Sequence, residues 1–236
     1  MCEIFRFKQF EIRQDLCAMK VGTDGVLLGA WAKGGKHILD IGCGTGIITL
    51  MLAQRYPDAQ ITAIDIVDDC CRQTRQNADN SPWGERISTV NKSLQDFVSD
   101  YEELPKFDAI VSNPPFFVDS LKNPDSFRRL ARHSDSLPFS VLARGVSKLL
   151  AADGVFCVIL PEECFKQFTE DAWFSELYLV ADLRLKTKDS KPVKRHLMMF
   201  GKEKNAVPVI ETKLLQNADG TKSEWYKKIT DDFYLW

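Results

Sequence analysis

The chain has 236 residues, with 31 Lys and Arg against 33 Asp and Glu, a formal net charge of −2, 44% hydrophobic and 27% charged residues. These figures describe a globular chain and exclude collagen-like, coiled-coil, low-complexity and disordered classes. The longest apolar runs, such as residues 155–160, have strand length, against the roughly 18 residues that a membrane helix needs. Residues 1–6 lack the basic start and apolar stretch of a secretory signal, so no membrane association and a cytoplasmic location are expected. Seven cysteines, at 2, 17, 43, 70, 71, 157 and 164, form no CxxC pair. That spacing predicts free thiols in a reducing compartment and no metal site.

In chain order, the alternation of Phe5 and Phe7 with Phe10 and Ile12 predicts a small hairpin. Thr23 reads as the N-cap of a helix reaching residue 32. From residue 37 onward β-rich runs alternate with helix-like stretches. Strands are expected at 37–41, 61–66, 87–90, 107–111 and 155–160, and helices at 47–55, 68–80, 94–101 and 140–150. This rhythm predicts an α/β fold, a mostly parallel sheet with helices on both faces. Runs 180–185 and 196–200 are joined by a stretch too short for a crossover helix, so that pair is expected to be antiparallel. No linker rich in Gly, Ser or Pro divides the chain. Residues 37–236 are therefore expected as one domain, with residues 1–36 as an N-terminal extension packed on it, effectively a single domain.

Asp40-Ile41-Gly42-Cys43-Gly44-Thr45-Gly46 joins the first of these strands to its helix. Glycines at 42, 44 and 46 let the backbone turn sharply and bring a ligand against main-chain N–H groups at a helix N-terminus. The spacing is GxGxG, whereas the dinucleotide fingerprint is GxGxxG. Asp40 at the strand end would attract an ammonium or sulfonium and repel a pyrophosphate. Asp65 ends the next strand, where an acid can accept both ribose hydroxyls of a nucleoside; capping the following helix is the alternative. After the third strand Ser93 stands where a base amine would be met, or where it would cap the helix beyond. Together these residues describe a site for a nucleoside that carries positive charge.

Asn113-Pro114-Pro115-Phe116 follows the fourth strand directly. The prolines stiffen the loop and leave carbonyls free to accept hydrogen bonds. The Asn113 side-chain oxygen and the Pro114 carbonyl can together accept both hydrogens of an NH2 group, and Phe116 offers a stacking face for a planar substrate. A methyl on sulfur requires in-line positioning of such an amine and no metal.

At this point the sequence resembles S-adenosylmethionine-dependent amino-methyltransferases, and more narrowly the bacterial family that methylates N6 of adenine 37 in valine tRNA. The resemblance extends over nearly the whole chain. It rests on the block 19–31 (MKVGTDGVLLGAW), the 40–46 loop, Asn80-Ser81-Pro82-Trp83, Asn113–Phe116 taken as NPPF, and Val158-Ile159-Leu160-Pro161-Glu162. It implies a class I methyltransferase fold, Rossmann-like, with a seven-stranded mostly parallel sheet carrying one antiparallel strand. It implies S-adenosyl-L-methionine as cofactor, S-adenosyl-L-homocysteine as product, and tRNA as substrate. Carried over, Gly42, Gly44 and Gly46 would line the cofactor's methionine and ribose, Asp40 would face its ammonium end and Asp65 its ribose hydroxyls. Lys20 and Thr23 would close over it, Ser93 would stand at its adenine, and Asn113, Pro114, Pro115 and Phe116 would hold the target adenine. Ser93 stands where relatives often carry an acid, and Phe116 replaces the commoner tyrosine.

In that topology the sixth strand ends on the cofactor side, so the turn carrying Lys186, Lys188, Lys191, Lys194 and Arg195 is expected there too. Lys122, Arg128, Arg129 and Arg132 follow NPPF and are expected on the same side, the two clusters forming a basic rim for the RNA backbone. His37, His133 and His196 show no metal or triad pattern, and Cys70-Cys71 reads as part of a helix face. Tyr226, Phe233, Tyr234 and Trp236 read as an aromatic docking face. A monomer is expected. The residues leave open a protein glutamine-N5 or rRNA guanine-N2 methyltransferase and a catalytically silent RNA-binding module. A nicotinamide oxidoreductase is disfavoured by GxGxG and Asp40.

Overall fold

The computed structural model describes residues 4–100, 106–115 and 137–235. Strands β1 (Ile4–Arg6) and β2 (Glu11–Arg13) form the expected antiparallel hairpin, with Phe5 opposite Ile12. The Phe7 and Phe10 rings stack at 4.6 Å, and Phe7 also stacks on Tyr234 at 5.8 Å, which ties the hairpin to the C-terminal segment. Tyr226 and Phe233 are buried in the same core, so the aromatic C-terminus docks this chain's own N-terminus. Trp236 lies outside the described residues.

Helix α1 (Thr23–Trp31) begins one residue earlier than its expected cap allows. Gly22 is the N-cap, in an extended conformation with no side-chain cap bond, and Thr23 is the first helical residue. At Gly29 a Cβ would lie 2.7 Å from Met51 Sδ, so α1 packs closely on α2 only because that position is bare. Then come β3 (His37–Ile41), α2 (Ile47–Arg55), β4 (Gln60–Asp65), α3 (Asp68–Asp79), β5 (Ile87–Asn91), α4 (Leu94–Asp100) and β6 (Phe107–Ser112). Beyond the undescribed stretch follow α5 (Phe139–Leu149), β7 (Leu150–Pro161), α6 (Glu162–Phe174), β8 (Tyr178–Lys186), β9 (Val193–Gly201), β10 (Val209–Leu214) and α7 (Glu224–Thr230).

The main sheet has the order β10-β8-β9-β7-β6-β3-β4-β5, with β9 antiparallel to both neighbours and every other pairing parallel. The sheet is the expected class I arrangement with one strand more than the seven foreseen. The addition is β10, an edge strand that pairs only with β8 and leaves Val209 and Ile210 exposed. Strand alternation divides the core. Ile38, Ile61, Val111 and Ile159 face one layer with α1, α2 and the hairpin. Leu39, Ile64, Ile110 and Val158 face the other with α4, α5 and α6. Parallel pairing leaves the carboxyl ends of β3, β4, β6, β7 and β8 along one edge, the edge where an open α/β sheet binds its ligand.

Candidate active site

The two chain ends that matter most leave the sheet as neighbours. Ile41 and Ser112 are register partners at the ends of β3 and β6, and the Ser112 hydroxyl donates to the Ile41 carbonyl at 2.9 Å. Gly42 and Asn113 therefore start side by side. Among the described residues two clefts open along this edge, of about 640 and 380 Å³, and Gly42, Gly44, Asn113 and Pro115 line both.

Gly42, Gly44 and Gly46 all have left-handed φ, at 75°, 54° and 80°. A Cβ on Gly42 or Gly44 would meet no atom within 4 Å, so these glycines leave open space in front of the backbone. Their N–H groups are spent within the protein. Gly42 and Cys43 donate to the Ile64 carbonyl at 2.9 and 3.0 Å, and Gly44 donates to Asp65 Oδ2 at 3.0 Å. At these residues the loop offers a shaped hollow, in place of the main-chain donors foreseen from the sequence. Gly46 instead N-caps α2, its Cβ would lie 2.9 Å from Thr74 Cγ2, and it lines neither cleft.

Asp40 also differs from expectation. It is fully buried and lines neither cleft. Its Oδ2 accepts the Thr49 hydroxyl at 2.6 Å, and its Oδ1 has no partner among the described residues. Burial pushes its pKa up to about 7, opposed by the Thr49 bond and reinforced by the nearby Asp65 charge. Asp65 lines the smaller cleft, its carboxylate oriented by N–H bonds from Gly44 and from Val67, the latter at 2.9 Å to Oδ1. Each oxygen keeps a lone pair for a ligand hydroxyl.

Ser93 reaches the smaller cleft and caps α4. Its hydroxyl donates to Asp96 Oδ2 at 2.6 Å and accepts from the Asp96 N–H at 3.1 Å, a reciprocal cap. Lys20 and Thr23 line the larger cleft. The Lys20 ammonium is held by the Gln14 and Cys17 carbonyls and so pins the 14–20 loop. Pro114 lines the smaller cleft beside Asn113 and Pro115. Phe116 lies outside the described residues, as do Lys122, Arg128, Arg129 and Arg132.

Of the second basic cluster, Lys194 and Arg195 line the larger cleft with Thr187, which puts the β8–β9 turn on the ligand edge. Arg195 is paired with Asp24 at 2.8 Å. Lys186 and Lys188 donate to the carbonyls of Asp189 and Ala218, and Lys191 is exposed.

Several features were not read from the sequence. Cys17 and Cys70 line the smaller cleft, while the Cys71 thiol donates to the Asp65 and Val90 carbonyls at 3.5 and 3.4 Å and Cys43 Sγ accepts the Thr74 hydroxyl at 3.3 Å. The 215–226 segment supplies Leu215, Gln216, Lys222 and Tyr226 to the larger cleft. His196 is buried between two acids, Nδ1 at 2.7 Å from Asp182 and Nε2 at 2.7 Å from Glu162. Burial opposes its charge, but the two carboxylates raise its pKa above the ordinary value. No cluster of His, Cys, Asp and Glu able to hold a metal occurs among the described residues, and no described helix is long and apolar enough to cross a membrane.

A family model, the methyltransferase small domain, matches residues 21–137. A Bacteroides thetaiotaomicron protein named tRNA1(Val) (adenine(37)-N6)-methyltransferase is 46% identical over 234 residues, 98% of this chain and 97% of that protein. A Christiangramia forsetii protein of the same name is 40% identical over 235 residues, with 98% and 97% covered. Among solved structures, one described as a predicted O-methyltransferase from Agrobacterium tumefaciens superposes with a TM-score of 0.71 at 16% identity, covering 89% of this chain and 96% of that one. A TehB-like SAM-dependent methyltransferase from Corynebacterium glutamicum gives 0.51 at 21% identity, covering 79% and 90%. These two likenesses carry the fold. Full-length identity of 46% carries more: the chain belongs to the tRNA1(Val) (adenine(37)-N6)-methyltransferase family.

Proposed function

We propose that this protein transfers a methyl group from S-adenosyl-L-methionine to the exocyclic N6 of an adenine in tRNA, adenine 37 of valine tRNA. The carrying observation is the juxtaposition of Gly42 and Asn113 at the ends of β3 and β6, with two clefts lined by both. The residues fit that cofactor. The bare face of Gly42 and Gly44 is a hollow that any Cβ would fill, Asp65 presents a carboxylate to vicinal hydroxyls, and the buried Asp40 Oδ1 is unpartnered among the described residues.

When bound, the cofactor would supply an electrophilic methyl on positively charged sulfur; the C–S bond would break as the N–C bond forms, the sulfur leaving as a neutral thioether. Asp40 then acts through its field in a region of low polarity, drawing the cofactor's positive end without touching it. Asp65 accepts the ribose hydroxyls, Ser93 with Asp96 borders the adenine, and Lys20 and Thr23 roof the methionine end. Asn113 and the Pro114 carbonyl accept the two hydrogens of the target amine. That removes its lone pair from conjugation and aims it across the corner; Pro115 keeps the loop rigid, and Phe116 stacks on the base. The nitrogen gains a carbon, and its surplus proton passes to water from the carbonyl side. No general base is required, because the product cation is strongly acidic. Lys194 and Arg195, which line the larger cleft, together with Lys186, Lys188 and Lys191 of the same turn, supply a positive rim for the RNA backbone, and Arg128, Arg129 and Arg132, outside the described residues, are proposed to add to it.

The test is nucleoside mass spectrometry of tRNA from cells lacking this protein. The reading expects one N6-methyladenosine to vanish from valine tRNA and to return with the intact gene. An unchanged nucleoside profile rejects it.

A further inference from the structure

The larger cleft extends well past the transfer corner, to a wall built by the C-terminal segment. Leu215 and Gln216 continue the pairing of β10 beyond its end, their N–H groups donating to the carbonyls of Lys186 and Thr187, each at 2.9 Å. Gln216 then pairs across to Lys222 in an antiparallel bridge, and Asn217 N–H donates to Thr221 O at 2.9 Å. The Lys188 ammonium grips the Ala218 carbonyl at 3.0 Å, and Ser223 caps α7 through the Tyr226 N–H at 3.1 Å. The segment is a stiff finger docked on the β8–β9 turn, and it points Gln216 and Lys222 into the cleft.

Charge is unevenly distributed around that cleft. Its lining contains Lys20, Lys194, Arg195 and Lys222 and one acid, Asp24. Arg195 is neutralised by Asp24, and Lys20 is tied to carbonyls at the roof. Lys194 and Lys222 remain as the lining cations with no carboxylate partner among the described residues. Lys222 is held in place by its ammonium lying 4.6 Å from the centroid of the buried Tyr226 ring. A cation over a ring face is fixed in direction yet keeps its N–H donors for a second partner.

We propose that Lys222, which lines this cleft together with Lys194, forms a subsite for the phosphate of the nucleotide that flanks the target base. The inference rests on the function proposed above and extends it, since the β10–α7 finger lines the larger cleft and not the smaller one that holds Asp65 and Ser93. A flipped base needs its flanking backbone held while stacking is broken, and a pair of preplaced ammonium groups meets that need. The two lysines act as point charges, so the subsite positions the strand without reading its sequence.

The experiment measures methyl transfer to a valine tRNA transcript by the full chain and its Lys222→Ala and Lys222→Glu variants, across a range of salt concentrations. Lys228→Ala, on α7 and outside the cleft lining, is the control. Lys222→Ala is expected to raise the KM for tRNA by about fivefold and to lower the slope of log KM against log salt by about one. Lys222→Glu raises KM further, while affinity for S-adenosylhomocysteine by calorimetry stays at the wild-type value. Wild-type KM and salt slope in Lys222→Ala would overturn the subsite. So would a loss of S-adenosylhomocysteine affinity, which would assign Lys222 to the cofactor's carboxylate. Wild-type protein that methylates no tRNA would overturn the function itself, and the subsite with it.

Discussion

The Ser112 hydroxyl donates to the Ile41 carbonyl oxygen at 2.9 Å, at the last paired position of β6 and β3. Both groups are buried, so the bond fixes the spacing at which the two loops leave the sheet. Ser112→Ala is expected to cost about 1–2 kcal/mol of stability, because the Ile41 carbonyl is left without its partner. It should also lower kcat by about tenfold, since misplacement of the amine relative to the methyl weakens catalysis steeply. Urea denaturation and steady-state transfer to tRNA measure the two effects. A variant destabilised as stated but fully active would show that this joint does not align the site.

Asp40 is expected to make the affinity for S-adenosylmethionine depend on pH. Its pKa in the folded chain, about 7, lies above the ordinary 3.8 because burial disfavours the charge. With the folded value raised, its favourable contribution is complete below about 3.8 and is lost as pH rises through about 7. Above that, ionising Asp40 opposes folding of the cofactor-free protein by as much as roughly 4 kcal/mol. Asp40→Asn is thus expected to raise the melting temperature of the cofactor-free protein at pH 8, with the gain shrinking toward pH 4. The charge that destabilises the empty site is the one that attracts a cationic ligand. Wild-type affinity for S-adenosylmethionine should climb between pH 5.5 and 7.5, and Asp40→Asn should be weaker and flatter over that range. Calorimetry against pH checks both.

His196 should tie β9 to β8 and α6 within a defined pH window. Its pKa is raised by Asp182 and Glu162 against the effect of burial, and that of Asp182 is lowered by His196 and Arg184 against the same effect. The His196 contribution is present below about 6.5 and is lost as pH rises through its higher folded value; that of Asp182 is present above about 3.8 and is lost on further acidification. Both act in full between those limits. His196→Gln, which leaves the fully buried Asp182 with Arg184 alone, should destabilise by about 3 kcal/mol at pH 6 and by less at pH 9. Denaturant titrations at the two pH values test this.

The Cys17–Cys70 pair sits where the adenosine half of the cofactor is expected. Cys17 is held below the ordinary thiol range by its hydrogen bond from Cys70, in spite of burial. A maleimide should therefore modify Cys17 in the empty protein, and S-adenosylhomocysteine should protect it. Peptide mass spectrometry with and without the ligand reads the difference. Equal labelling in both would place the cofactor elsewhere.

Much of this was legible because it is local. The loop from Asp40 to Gly46, the Asn113-Pro114-Pro115 corner and the alternation of strands and helices are written in adjacent residues, and the structure bears out their order. Helix α6 carries its buried stripe at Cys164, Phe168 and Ala172, a spacing that sequence reading passes over beside Trp173 and Phe174. Strand β10 buries no side chain fully, so its six residues leave no alternating signature. The cap of α1 moved because Gly22 takes the extended conformation unaided. The cleft thiols, the Asp182–His196–Glu162 cluster and the 215–226 wall are assembled from distant segments that only the tertiary fold joins. The burial of Asp40 was hidden for a different reason: strand-end position reveals which loop an acid precedes, not whether its side chain is buried.

The central claim is that Asn113 presents a tRNA adenine amine to a methyl donor seated against Gly42. It is tested most directly by incubating valine tRNA with methyl-labelled S-adenosylmethionine and either wild-type protein or Asn113→Ala, then digesting the RNA to nucleosides. The account predicts label in N6-methyladenosine at position 37 with wild type. It predicts a loss of about a hundredfold or more in kcat with Asn113→Ala, at little change in S-adenosylhomocysteine affinity. Label in a guanine, or an Asn113→Ala variant as active as wild type, would contradict it.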